Sequence, residues 1–430
     1  MNDAKAVRCI APEWLTLRPT IMKQFTIPFT YRSALITAIK NKRREQDKMK
    51  KDFAPTLLDF GPVRIYLARH FGFCYGVENA IEIAFRTVDE NPGKRIFLLS
   101  EMIHNPQVNI DLQQRGVRFL QDTRGNELVP LSSITGDDIV LIPAFGTTLA
   151  MEKLLNDKGI PTEKYNTTCP FVEKVWNRSE QIAAKNYTVV VHGKPTHEET
   201  RATFSHAAAN TASVVINNME EAIELGKYIS GQKAPSEFYT EFAGRYSKDF
   251  NVERDLQKIG VVNQTTMLAS DTQGIADYLK QVMITTYQLR AENIQERFAD
   301  TRDTLCYATN DNQSAVYGLL KQPDAQLAIV VGGYNSSNTS HLVELCEEKL
   351  PTYFISDAGK IASRDCIHHF DLHSKKEIST KNYLPSTHPV TIVMTSGASC
   401  PDAMVEKVIE RLIGFFDINQ DTTEIKAQFL

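Results

Sequence analysis

The sequence contains no C-x-x-C pair, only two tryptophans, no long apolar run and no large excess of charge of either sign. Each absence excludes something. Seven cysteines without close pairs argue against a disulfide framework, and against a structural zinc site, whose ligands arrive as closely spaced pairs. No stretch reaches the roughly 18–20 apolar residues of a spanning helix. The first fifty residues lack the apolar core of a secretory signal and mix Asp and Glu with their Lys and Arg, which gives a transit peptide only weak support. The expected location is the cytoplasm, with a plastid not excluded, and Met22 is an alternative start. The formal net charge of −4 provides no general attraction to nucleic acid or anionic lipid, so an anionic ligand must be held by local groups.

What is present is a long chain with a recurring pattern. At 430 residues it exceeds what one hydrophobic core usually serves. Short Val- and Ile-rich runs at 95–100, 139–144, 188–192, 259–263, 326–331 and 391–395 each lead into a polar loop and then a helical pattern. That alternation predicts α/β units with mainly parallel sheets. The expected division is an N-terminal extension over 1–60 with a basic helix around 34–51, α/β units over 61–165, 166–304 and 305–413, and a tail over 414–430. The stretch 205–255 reads as more irregular than the rest.

Three cysteines repeat one setting. Cys74 precedes Tyr75-Gly76-Val77-Glu78, Cys169 precedes Pro170-Phe171-Val172-Glu173, and Cys306 precedes Tyr307-Ala308-Thr309, each at the start of a helical stretch. A helix N-terminus favours a thiolate, the form that ligates metal, and Pro170 fits the first helical position. Three thiolates can anchor three irons of a [4Fe–4S] cluster and leave the fourth open. Taken alone, the three could equally be buried cysteines acting as small hydrophobes. Cys9, Cys346, Cys366 and Cys400 lack the setting and are read as non-ligands.

The strand-exit loops shift the balance, because open α/β sheets bind ligands at the carboxyl ends of their strands. They carry Ser100-Glu101-Met102-Ile103-His104-Asn105, the stretch from His192 to Thr200 with His197 and Glu199, Asn263-Gln264-Thr265-Thr266, Asn335-Ser336-Ser337-Asn338-Thr339-Ser340, and Ser396-Gly397-Ala398-Ser399. Hydroxyls, amides, imidazoles and glycine-exposed N–H groups suit a compact anion such as a diphosphate. Singly, each loop reads as well as helix capping or turn chemistry. Other readings of the whole are an iron–sulfur hydro-lyase, a non-catalytic iron–sulfur sensor, or a cluster-free phosphate-binding protein.

These segments, in order from about Val63 to Ile413, resemble the 4-hydroxy-3-methylbut-2-enyl diphosphate reductases, the LytB/IspH family of the non-mevalonate isoprenoid pathway. The resemblance implies a trefoil of three α/β units around one [4Fe–4S] cluster per chain, with Cys74, Cys169 and Cys306 as ligands. It implies substrate contacts from His104, His197, Thr265, Thr266, Ser336, Ser337, Asn338 and Ser399, with Thr266 the favoured threonine. It makes Glu199 the proton donor, acting through Thr266. A ferredoxin or flavodoxin is the implied electron donor, and a homodimer is left open. One departure stands out: many bacterial members carry His-Gly where this chain has Phe145-Gly146, as in the plant and cyanobacterial type. The remaining donors must then hold the diphosphate, with Thr147 and Lys194 as candidate helpers.

Overall fold

The computed structural model describes residues 25–299, 304–418 and 422–430. Cys9 and Met22 lie outside them. Among the described residues there are four sheets, three of which have parallel strands but for one edge strand, as the alternation predicts. The first has the order Arg118–Phe119, Ile96–Leu98, Ile139–Leu141, and the second Ser213–Ile216, Thr188–His192, Ile259–Asn263. The central strands of both are buried along their whole length. Continuous Val and Ile runs suit strands covered on both faces by helices.

The third sheet revises the expected boundaries. Its order is Thr56–Asp59, Val63–Leu67, Val390–Ser396, Leu327–Val331, Thr352–Ile355. Val63–Leu67 pairs in parallel with Val390–Ser396, so a strand read as opening the first unit belongs to the sheet of the third. Thr56–Asp59 folds back antiparallel on it, which brings the end of the N-terminal extension into the same sheet. An apolar run announces a strand, but its partner is chosen by packing more than 300 residues away.

The described part of the extension is likewise built in. Helix Ala34–Gln46 starts at Ser33, whose Oγ accepts from the Ile36 N–H. It ends before the predicted 51. Leu35, Ile36 and Ile39 enter the core of the third unit, which Ile425 of the tail helix Thr422–Ala427 also joins. Phe25, Ile27 and Tyr31 enter the first unit's core.

The stretch 205–255 is more regular than its sequence suggests: it holds the strand Ser213–Ile216 and the helices Met219–Ile229, Pro235–Glu241 and Val252–Asp255. Sequence reading also missed an antiparallel sheet in the third unit, Ile361–Ser363, Cys366–Asp371 and Lys376–Lys381. Its last strand is mostly exposed on both faces and carries no apolar alternation. Among the described residues, no helix is long and apolar enough to cross a membrane.

Candidate functional site

Each of the three cysteines caps a helix. Cys74 precedes Tyr75–Glu90, Cys169 precedes Pro170–Ala183 and Cys306 precedes Tyr307–Leu319; none of the three side chains bonds back to its own helix as a cap. The thiols are left for something else. All three line one cavity, which also receives the strand-exit loops of every unit. Gly76 shows how closely the elements meet: a Cβ there would stand 2.4 Å from the Cys169 Sγ. Any larger residue would push Cys169 off its place.

The electrostatics of the thiols differ in one respect from the expectation. Helix N–H groups of Gly76 and Val77 do lower the Cys74 pKa, and those of Ala308 and Thr309 that of Cys306. Desolvation by burial is larger, so Cys74 and Cys169 are raised and Cys306 is pushed up to about 12. Cys169 and Cys306 are also raised by the Cys74 charge, as expected of sulfurs that share a site. Thiols in this setting need a bound cation to become thiolates. Among the described residues, no three His, Cys, Asp or Glu side chains stand close enough to hold a single ion. Three thiols that border one cavity from three helix starts fit a polynuclear cluster, in which each can ligate its own iron. Cys346 and Cys400 are buried elsewhere, Cys366 opens a strand, and none of them lines the cavity.

The rest of the lining comes from the loops. His104, His197, Glu199, Thr265, Thr266, Ser336, Ser337, Asn338 and Ser399 all border the cavity. Thr147 and Lys194 do not.

His197 caps helix Glu198–Ala208 through its Nδ1, which accepts from the Glu199 N–H at 3.2 Å. Burial holds its pKa well below 6.5, so the ring is neutral and its proton sits on Nε2. That Nε2 is buried without a partner, and so is Nδ2 of Asn338. Asn338 Oδ1 is occupied by the Ala398 N–H at 2.9 Å. Two buried donors on the wall of one cavity call for an acceptor.

The loops also bind one another. The Ser399 hydroxyl donates to the His104 carbonyl at 3.0 Å, and the Asn335 amide donates to Glu101 at 2.8 Å. Gly333 is needed where it stands, since a Cβ there would come within 2.4 Å of the same His104 carbonyl. Ser336 caps helix Ser337–Glu347 by accepting from the Thr339 N–H.

Glu199 is 1% exposed, and its carboxylate accepts from the Thr265 N–H at 2.5 Å. Desolvation raises its pKa to about 7, against the lowering effect of the Thr265 bonds. Its direct partner is therefore Thr265. The Thr266 hydroxyl accepts from Gln264 at 2.7 Å. A hydroxyl that accepts one bond keeps its proton to donate and a second lone pair to accept, so this bond does not block Thr266 as a relay.

Three features escaped the sequence reading. Glu198 is buried and faces His104 Nε2 at 3.0 Å while accepting from the Ser100 hydroxyl. Phe145 stacks on His104 at 4.2 Å between centroids and meets His197 edge-on at 5.5 Å. Gly146, at φ +75°, turns the chain there, and a Cβ would fall 2.5 Å from Trp176. The acidic pair Glu198-Glu199 was a usable signal: two carboxylates opening a helix are usually solvated, and a strand-exit setting is the reason to doubt that here. The cavity has a volume of ≈ 80 Å³.

A model of the LytB protein family matches residues 65–413. The chain belongs to the LytB family. Members of that family resemble it over most of its length. An enzyme of Cyanothece sp. named 4-hydroxy-3-methylbut-2-enyl diphosphate reductase is 38% identical over 386 residues, 89% of each chain. One of the same name from a Synechococcus strain is 40% identical over 364 residues, 84% of this chain and 87% of the other. Among solved structures, the E-1-hydroxy-2-methyl-but-2-enyl-4-diphosphate reductase of Plasmodium falciparum superposes with a TM-score of 0.57 at 22% identity, covering 81% of this chain and 87% of that one. The LytB fold is thus shared with a solved member, in agreement with the three-unit architecture described above.

Proposed function

We propose that this chain reductively dehydroxylates 4-hydroxy-3-methylbut-2-enyl diphosphate to isopentenyl diphosphate and dimethylallyl diphosphate, the last step of the non-mevalonate pathway. The observation that carries the reading is convergence. Three helix-capping cysteines, from positions 74, 169 and 306, border one cavity together with donor-rich loops. The names of the cyanobacterial relatives support it.

In this reading Cys74, Cys169 and Cys306 hold one [4Fe–4S] cluster, with its fourth iron left for substrate. When bound, the cluster supplies electrons and a Lewis-acidic iron, chemistry that side chains do not offer. The residues of the chain do the rest. His104, His197, Ser336, Ser337, Asn338 and Ser399 bind the diphosphate, the free donors of His197 and Asn338 foremost. Phe145 adds no donor but holds the His104 ring flat against the wall. Burial raises the Glu199 pKa to about 7, so near neutral pH it still carries a proton to give to the departing hydroxyl in part of the molecules, by way of Thr265 or Thr266. Two electrons and two protons enter, a C–O bond becomes a C–H bond, and water leaves.

The test is an anaerobic assay of the iron- and sulfide-reconstituted chain with dithionite-reduced methyl viologen and the allylic diphosphate. Formation of the two isoprenyl diphosphates only when reductant is present is the expected result. Turnover without reductant would point to a hydro-lyase. A loaded protein that forms no product under reducing conditions overturns the proposal.

A further inference from the structure

Helix Ala34–Gln46 buries Leu35, Ile36 and Ile39 and turns a strongly basic side outward. Beside it lies a groove of ≈ 620 Å³ lined by Lys40, Arg44, Lys48, Lys50 and Arg69, against only two carboxylates, Glu45 and Asp311. Lys40 is engaged by Asp402 at 2.7 Å, but Arg44, Lys48 and Lys50 are exposed. This is a local positive surface on a chain whose formal net charge is −4.

Its position matters as much as its charge. Cys74 and Ala308 line both this groove and the cavity of the three cysteines, so groove and cavity meet at these residues. Tyr75 and Tyr307, each next in sequence to a cysteine of the cavity, also line the groove and are 40% and 41% exposed. Lys50 lies 5.6 Å above the Tyr307 ring.

We propose that this groove is the docking surface for an acidic one-electron carrier protein. The proposal rests on the reductase reading, in which electrons must enter from outside. Transfer falls steeply with distance, so the carrier must meet the chain close to the cysteines, and the groove that reaches Cys74 carries the complementary charge. Two tyrosines give the basic rim an apolar centre, the make-up of a transient protein interface. Two carrier molecules, each oxidised by one electron, are consumed for every C–O bond replaced by C–H and every water released. A nucleic acid would also be drawn to the cations, but nothing about it requires the contact with Cys74.

The experiment uses the full-length reconstituted chain and a plant-type [2Fe–2S] ferredoxin as probe. Binding is measured by calorimetry at low salt, and turnover with reduced ferredoxin and, separately, with reduced methyl viologen. Arg44→Glu combined with Lys48→Glu should weaken ferredoxin binding on the order of tenfold and remove most of its salt dependence, with viologen-driven turnover unchanged. Lys376→Glu, on the exposed outer strand Lys376–Lys381, should alter neither. Unchanged ferredoxin affinity in the double variant overturns the proposal, as does duplex DNA binding to the parent as tightly as ferredoxin. Loss of viologen turnover in the parent chain would instead sink the reductase reading, and the binding titration would still decide the docking surface.

Discussion

Glu198 and His104, 94 residues apart in sequence, meet at 3.0 Å in the buried wall of the cavity. Glu198 comes from the start of a helix in the second unit and His104 from a strand-exit loop of the first. Because Glu198 also accepts from Ser100, it ties the two units together at the point where His104 faces the ligand. Removing it leaves the His104 ring with only its stack on Phe145 and its edge contact with His197. Leaving a buried polar group without its partner costs about 1–3 kcal/mol, so Glu198→Ala should raise the KM for substrate by roughly tenfold. Iron content should stay at the parent value, because Glu198 touches no cysteine. A normal KM in that variant would show that His104 needs no such anchor.

Glu199 makes a separate prediction about pH. Its folded pKa is raised to about 7, so the proton it must donate is present below that value and lost as pH rises through it. The turnover number should therefore fall on the alkaline side of about 7. Glu199→Gln should abolish that limb while lowering turnover by on the order of 10²–10⁴, with substrate still bound. A pH–rate profile with the same limb in both proteins would assign it to another group.

Among the cysteines, Cys169→Ser is the most informative change. It nearly keeps the size of the side chain but offers a poor ligand in place of the sulfur. Lower bound iron and a bleached visible absorbance after anaerobic reconstitution are expected. Full iron occupancy would exclude Cys169 from the ligand set.

Gly146 should be intolerant for two independent reasons. Its φ of +75° is costly for any residue with a Cβ, and that Cβ would run into Trp176. Gly146→Ala should destabilise the fold by about 1–3 kcal/mol and shift the Trp176 emission, since the indole must move away from its stack on His206 at 3.7 Å. Chemical denaturation followed by fluorescence measures both.

Much of the cavity was legible before any coordinates. Each cysteine stood before a helical pattern, and each polar loop followed a Val- or Ile-rich run, so helix starts and strand exits could be marked from local sequence. What stayed hidden depended on contacts between units. No local pattern pairs Glu198 with His104 or prefers Thr265 over Thr266 as the partner of Glu199. Phe145 was visible as a departure from the bacterial pattern, but only the folded loops turn it into the face on which His104 lies. The parallel pairing of Val63–Leu67 with Val390–Ser396 escaped for the same reason.

The sequence by itself determined the kinds of element, their order, and the three cysteines and donor loops at their ends, because propensity, periodicity and capping act over a few residues. Only the tertiary structure decided which strand closes which sheet and which side chains share a cavity. It also decided how burial weighs against helix N–H groups at the thiols. Those outcomes depend on packing and desolvation summed over residues far apart in the chain, which no window of sequence contains.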